Sequence, residues 1–313
     1  MKKFIIFLTL TLILISVYFN FDDEPTKFVN DIVEEGDINV YFCPGENCFY
    51  SYLKEIKNSQ RVYCAFYDIN HNELISLLKS KGNVKLYVDE YEDVRNLDFV
   101  KKDDKSALSH NKFCVLDDKI ITGSLNPTYN GVNRNNNNYL IIKSEYLVEN
   151  YLNEFNELWN DKENINVNYP VIFLDNLKIE NYFCPEDFCE DKVYSILKNA
   201  EESVYFMTFS FTSDRLGELL LNSNLEVKGV FEKSQAGSPY SEYHKLIEKY
   251  DVRKDSNGGM MHHKVFIIDK KIVITGSYNP TKNGNENNDE NVLIIHSKVI
   301  AKKYLEEFEK IYN

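Results

Sequence analysis

Apolar positions along this chain change period repeatedly, and they do so in the same order twice. Residues 38–43 (INVYFC) form a β-rich run, and 48–57 carry apolar side chains at helical spacing. Residues 61–67 (RVYCAFY) read as a strand, 72–80 (NELISLLKS) as an amphipathic helix, and 84–88 (VKLYV) as another strand. After a variable connection come a strand holding His110 and Lys112, a tight turn at Asp117 and Asp118, and the strand KIITG. A polar loop leads to a last strand, 139–142 (YLII), and to a closing helix with apolar residues at Tyr146, Leu147, Tyr151, Phe155 and Leu158. Strands this continuously apolar, alternating with helices, predict an α/β sandwich with a mixed sheet.

The order recurs because the chain is duplicated. Tyr41-Phe42-Cys43-Pro44, with Cys48 following, returns 141 residues later as Tyr182-Phe183-Cys184-Pro185, with Cys189 following. Arg61-Val62-Tyr63 corresponds to Ser203-Val204-Tyr205 at an offset of 142. His110-Asn111-Lys112 matches His262-His263-Lys264 at 152, so about ten residues are inserted between Phe231 and Met261. Solenoid repeats run about 20 to 50 residues, so a period this long means a duplicated domain. The organisation that follows is a first α/β domain over 37–160, a linker over 161–178 opening on DKENINVNYP, and a second α/β domain over 179–313. A pseudo-twofold axis is expected to relate the halves.

The chemistry sits in the repeat. The first half carries His110-x-Lys112-x4-Asp117, six residues, then Gly123-Ser124-x-Asn126. The second carries His262-x-Lys264-x4-Asp269, six residues, then Gly276-Ser277-x-Asn279. Six fixed residues arise by chance about once in 10^8 starts at roughly 5% usage each, and here they occur twice at equivalent places. In a strand, His and Lys two apart share a face, whereas Asn111 and His263 point the other way. Asp117 and Asp269 complete each His-Lys-Asp set, but their odd spacing turns them from the His and makes them organisers of the strand end. The Lys side chains suit the non-bridging oxygens of a phosphate anion, and Ser124, Asn126, Ser277 and Asn279 supply uncharged hydrogen bonds to bind or orient it. Two His in one pocket suit opposite protonation states, one attacking phosphorus and one protonating the leaving oxygen. The motif has no carboxylate cluster, so neither metal nor cofactor is expected. For His71, His244, His263 and His296 a structural role is expected, and Asn133 to Asn138 reads as a polar loop of biased composition.

These residues resemble the doubled His-Lys-Asp signature of the phospholipase D superfamily. The resemblance extends over nearly everything after residue 37, and the Tyr-Phe-Cys-Pro lead-in with 203–220 (SVYFMTFSFTSDRLGELL) is similar to the compact endonuclease and mitochondrial cardiolipin hydrolase branch. It implies two phospholipase D-like α/β halves sharing one active site, with the N-terminal His, here His110, as nucleophile through a covalent phosphohistidine. The family usually carries an acidic residue shortly after the Gly-Ser-x-Asn element to orient a catalytic His. Glu290 fits in the second half, but Asn137 stands at the aligned place in the first, and which His Glu290 serves stays open.

Composition narrows the partners. Of 313 residues 27% are charged, with 22 Tyr and 20 Phe, which is globular composition. The net charge is −13 and is shared between the halves, so no basic tail or domain offers a broad nucleic-acid surface. Lys2 and Lys3 precede the uncharged run 4–19, and Asp22, Asp23 and Glu24 follow. Residues 1–21 therefore read as a membrane anchor or signal peptide, which makes the catalytic region extracytoplasmic, membrane-anchored or secreted. In that compartment Cys43 with Cys48 and Cys184 with Cys189 read as two short-loop disulfides; the alternative is one zinc held by all four. Cys64 and Cys114 lie in apolar strands and read as buried thiols. One chain supplies both halves, so a monomer is expected. Three functions remain: a phospholipase D-like phosphodiester hydrolase on phospholipid headgroups, a metal-independent endonuclease on DNA or RNA, and an inactive phosphodiester-binding module.

Overall fold

The expected alternation of strands and helices is what folds. The computed structural model describes residues 32–45, 47–90, 93–104, 106–161 and 165–313. The run 4–19, read as a membrane anchor, lies outside them; among the described residues no helix is long and apolar enough to cross a membrane. After the short β1 (Val33–Glu34), the first half contains β2 (Asp37–Cys43), α1 (Tyr50–Asn58), β3 (Val62–Asp68), α2 (Asn72–Lys79) and β4 (Val84–Glu90). It continues through β5 (Val100–Lys102), β6 (Lys112–Val115), β7 (Lys119–Gly123), α3 (Tyr129–Asn133), β8 (Asn137–Lys143) and α4 (Glu145–Asn160). The second half opens with β9 (Val171–Leu174), then β10 (Leu177–Cys184), α5 (Cys189–Lys198), β11 (Ser203–Thr208), α6 (Asp214–Leu221) and β12 (Glu226–Phe231). There follow α7 (Tyr243–Leu246), β13 (Asp251–Lys254), β14 (Lys264–Ile268), β15 (Ile272–Gly276), α8 (Lys282–Glu286), β16 (Glu290–His296) and α9 (Lys298–Tyr312).

Two mixed sheets result, with one strand order. The first runs β2-β8-β7-β6-β3-β4-β5, and the second contains β10-β16-β15-β14-β11-β12-β13, its element-for-element equivalent. In each, the last three strands pair in parallel and the others antiparallel. The stretch 161–178 is more than a linker. It carries β9, which pairs with β10 and in turn with β1, so two strands cover an edge that the first sheet leaves at β2. Unpaired N–H and C=O groups at a sheet edge are what such additions satisfy.

The helices α4 and α9, started by Ser144 and Ser297 accepting from Leu147 and Ile300 N–H, put Tyr151, Phe155, Tyr304 and Phe308 into one core. That core also holds Phe113 and Leu140 of the first sheet and Val265 and Leu293 of the second, so the halves are one hydrophobic unit. Separate outer cores lie under α1 and α2 and under α5 and α6.

Cys43–Cys48 and Cys184–Cys189 are disulfides, as the export reading expected. Cys64 and Cys114 are not thiols: they form a third disulfide. They lie directly opposite in the antiparallel pairing of β3 and β6, which brings their Cα atoms to 4.0 Å. The second half places Phe206 opposite Phe266 at the same register.

Candidate active site

The two strands that carry the paired motif meet the cavity at their N-terminal ends. The expected strand holding both His and Lys is shorter than its pattern: His110 stands two residues before β6, which begins at Lys112, and His262 two residues before β14, which begins at Lys264. The two His line one cavity of about 740 Å³. Their backbones are anchored by the opposite half: His110 N–H donates to Asp289 O at 3.0 Å, and His262 N–H to Asn136 O at 2.9 Å. Because Asp289 and Asn136 are equivalent positions, these contacts are reciprocal, the signature of a twofold relation.

The side chains cross in the same way. His110 Nδ1 lies 2.8 Å from Glu290 Oε2, and His262 Nδ1 lies 2.9 Å from Asn137 Oδ1 and 3.1 Å from Ser124 O. Glu290 thus serves the first-half His, and Asn137 the second-half His. A carbonyl acceptor requires the proton of His262 on Nδ1, which leaves Nε2 directed to the cavity. Lys264 Nζ sits 3.2 Å from that Nε2, and the two Lys donate to the carbonyls of their own strand's His at 2.5 and 2.9 Å.

Burial makes this cluster expensive to charge. It pushes Lys112 down to about 7, against the pull of Glu290, and together with Lys112 it holds Lys264 well below the usual lysine range. Burial and the two lysines likewise lower His110 and His262. Burial pushes the Glu290 carboxyl up to about 8, although Lys112, Ser277, Asn288 and Lys264 oppose it. A bound anion beside the lysines relieves the penalty on every cation at once.

Behind the His pair runs a second crossing network. Asn291 Nδ2 donates to Asn111 Oδ1 at 2.8 Å, and His263 Nδ1 meets Asn138 Oδ1 at 3.0 Å. Asn138 also donates to Thr275 and Tyr304, as Asn291 accepts from Thr122 and Tyr151. Asn111 and His263 do point away from the cavity, and His263 is structural. These crossing contacts fix the mutual placement of the strands that carry His110 and His262.

The remaining expected residues divide. Asp117 accepts the N–H groups of Gln60 and Arg61, and Asp269 those of Glu201, Glu202 and Ser203, at the far ends of the strands. They brace the scaffold and stand away from the His, as their spacing implied. Ser124 and Ser277 are fully buried and accept the N–H of Asn138 and Asn291, so they position strands rather than face the cavity. Beside them Gly123 has φ +149°, and a Cβ there would lie 2.4 Å from Asn138 O. Asn126 and Asn279 line the cavity, each with a buried Oδ1 that has no hydrogen-bond partner among the described residues.

The amide-rich stretch 133–138 is not merely a polar loop. Asn133 ends α3, Asn136 anchors the His262 backbone, and Asn137 and Asn138 begin β8 fully inside the protein. Alignment with Asp289-Glu290-Asn291 was the available signal. Sequence reasoning also missed Tyr67 and Phe209, aromatic neighbours of His110 and His262 at 5.3 and 4.9 Å between ring centres. Among the described residues, no three His, Cys, Asp or Glu side chains converge as metal ligands.

Comparison with known proteins agrees with this architecture. A family model described as cardiolipin synthase, PLD-like domain matches residues 67–159 and 193–312. A phospholipase D of Rickettsia conorii is 33% identical over 142 residues, 44% of this chain and 71% of the relative. The mitochondrial cardiolipin hydrolase of Canis lupus familiaris is 37% identical over 117 residues, 36% of this chain and 46% of that protein. Among solved structures, the phosphatidylserine synthase of Haemophilus influenzae covers 87% of this chain and 85% of its own at 13% identity, with a TM-score of 0.65, a likeness of fold.

Proposed function

We propose, on the premise that this chain belongs to the family of the cardiolipin synthase, PLD-like domain and is a phosphodiesterase like its named relatives, that it hydrolyses phospholipid headgroups through a phosphohistidine on His110. The observation that carries the mechanism is the crossed pairing of His110 with Glu290 and of His262 with Asn137 at one cavity.

The roles follow from the unequal partners. With Glu290 ionised, its carboxylate accepts the Nδ1 proton of His110 and leaves a lone pair on Nε2. Nε2 attacks phosphorus, the P–N bond forms, and the P–O bond to the leaving alcohol breaks. Glu290 stabilises the charge that His110 acquires, which an amide does less well. His262, its ring held by the uncharged Asn137, gives its Nε2 proton to the leaving oxygen. Pairing of Lys112 and Lys264 with the phosphate's non-bridging oxygens removes their lowering effect on His262 and lets it carry that proton. His262 then takes a proton from water, the hydroxide attacks phosphorus, and the P–N bond breaks to restore His110.

Phospholipid is favoured by the cavity mouth. Lys282 is the only Lys or Arg among its described lining residues, so it lacks the basic track that nucleic acid requires. Leu108, Met260 and Tyr240 line it instead, with 41%, 48% and 78% of their surfaces exposed. Leu108 and Met260 each stand two residues before one of the paired His, so each half sets one exposed apolar side chain at the cavity. Three disulfides support an extracytoplasmic setting, in which the run 4–19 anchors a monomeric enzyme beside its substrate.

The test is early quenching of turnover with a chromogenic phosphodiester in the presence of chelator. Phosphorus is expected on His110 as an acid-labile adduct, absent in His110→Ala together with turnover. His262→Ala, given a leaving group that needs no protonation, is expected to form the adduct and release it slowly. An adduct on neither His, or turnover that needs a divalent metal, overturns the mechanism. Faster cleavage of nucleic acid than of phospholipid overturns the substrate.

A further inference from the structure

The opposite half holds one edge of the chain that leads into each His, and a carboxylate of the same half holds the other. Asp289 N–H donates to Leu108 O and its carbonyl accepts from His110 N–H, while Asn136 does the same between Met260 and His262. Between those contacts, Ser109 N–H donates to Asp89 Oδ2 at 2.9 Å, and Met261 N–H donates to Glu232 Oε2 at 2.7 Å. Ser109 and Met261 are fully buried and precede β6 and β14, outside the ladders of their own sheets, so the carboxylate is what satisfies each N–H.

The contact is duplicated at equivalent positions. Asp89 follows Val88, which pairs with Phe66 opposite Lys112, and Glu232 follows Phe231, which pairs with Thr208 opposite Lys264. The residue type differs between the halves, and the acceptor recurs. Each has a second acid beside it, Asp103 or Asp255, whose N–H donates to Val88 O or Phe231 O. Burial raises Asp89 and Asp255, and the neighbouring acid adds to the rise in each. Grouping carboxylates in a buried place opposes folding, so bracing a turn is a poor account of them by itself. Asp89 and Glu232 lie outside the cavity lining and touch no reacting atom.

We infer that Asp89 and Glu232 are positioning residues, each setting the approach of its own half's His to phosphorus by holding the N–H of the residue before it. This rests on the phosphohistidine reading above and assigns each carboxylate a different step. Asp89 acts through His110 on formation of the adduct, and Glu232 acts through His262 on its hydrolysis. Removing either acceptor leaves a buried N–H unsatisfied and frees the His backbone along one edge, and a small misplacement of a reacting group costs up to about 100-fold in rate.

The experiment follows the burst and the steady state of p-nitrophenolate release from a p-nitrophenyl phosphodiester, with chelator present, because this leaving group needs no protonation. Asp89→Ala is expected to slow the burst about 10- to 100-fold, so that less phosphorus is trapped on His110 during turnover. Glu232→Ala is expected to keep the burst and slow the steady state by a like factor, so that more is trapped. A misfolded fraction scales the burst amplitude without changing either rate constant, and thermal unfolding of each variant measures it. Asp89 also helps to hold the charge on Lys112. Asp89→Asn and Glu232→Gln keep an acceptor oxygen without the charge, and both are expected to restore most of the lost rate. Amide variants as slow as the Ala variants assign the effect to charge and overturn the inference. Equal slowing of both steps in both Ala variants, or no slowing in either, also overturns it, while an adduct on His110 of the intact protein upholds the hydrolase reading. No adduct on the intact protein overturns both. Glu232 is the more deeply buried, so if Glu232→Ala does not fold, the Asp89 variants decide the question.

Discussion

The two halves share a strand order and a His-Lys-Asp motif, but they hold their histidines differently. His110 leans on a buried carboxylate, and His262 on an amide and a backbone carbonyl. Each partner comes from the opposite half, so neither half is a site alone. A duplicated enzyme freed from symmetry can give one histidine the charge that suits a nucleophile and leave the other without it. A symmetric dimer of one domain cannot do this, because both copies carry the same residue.

The largest expected effect comes from disturbing that inequality. Glu290→Gln preserves the shape and removes the charge, and it is expected to lower kcat about 10^3- to 10^4-fold, as losing a histidine's orienting carboxylate does elsewhere. Asn137→Asp alone gives His262 a carboxylate and is expected to change kcat far less. The double exchange, Glu290→Asn with Asn137→Glu, is expected to move the phosphorus adduct from His110 to His262. Peptide mapping of the quenched enzyme reads this directly, and an adduct that stays on His110 breaks the proposed link between carboxylate and nucleophile.

A smaller effect concerns pH. Below about 8, burial keeps a proton on Glu290, so the carboxyl group cannot accept the His110 Nδ1 proton and the attacking tautomer is scarce. As pH rises through that value the carboxylate forms, and kcat/KM, which reports the free enzyme, is expected to climb up to tenfold per unit before levelling. With a leaving group that needs no protonation, Glu290→Gln is expected to lose this limb. A rising limb retained in the variant assigns the titration to another group, and not to Lys112, whose loss of charge with rising pH would lower activity.

The smallest effect on catalysis is expected where the halves differ only in bracing. Cys64–Cys114 spans a separation of 50 in the first half, and the second half has the Phe206–Phe266 pair instead. Replacing both cysteines by Ala is expected to cost about 4 kcal/mol of stability in the chain-entropy account, with part of it enthalpic. Hydrogen exchange should show the loss concentrated in β3 and β6. Equal loosening of β11 and β14 would mean that the shared core makes the halves unfold as one.

Much of the fold was legible, for a physical reason. Strands such as 61–67 and 84–88 are buried on both faces and therefore nearly all apolar, and helices such as α4 expose one polar face at helical spacing. The short β5 and β9, at or near sheet edges, leave weaker patterns, and by pattern alone β9 reads as linker. The His-Lys pairs were legible because two residues apart on a strand share a face whatever the rest of the chain does.

The sequence by itself determined the duplication, the candidate catalytic residue types, and the spacing of His110 with Lys112 and of His262 with Lys264. Those are properties of period and short spacing. Only the tertiary structure decided that Glu290 serves His110 across 180 residues, that Asn137 serves His262, and that Cys64 meets Cys114. Each of these depends on which strand lies beside which. Strand pairing is settled by burying one common core between the halves, and contacts that distant in sequence leave no local pattern for a period to reveal.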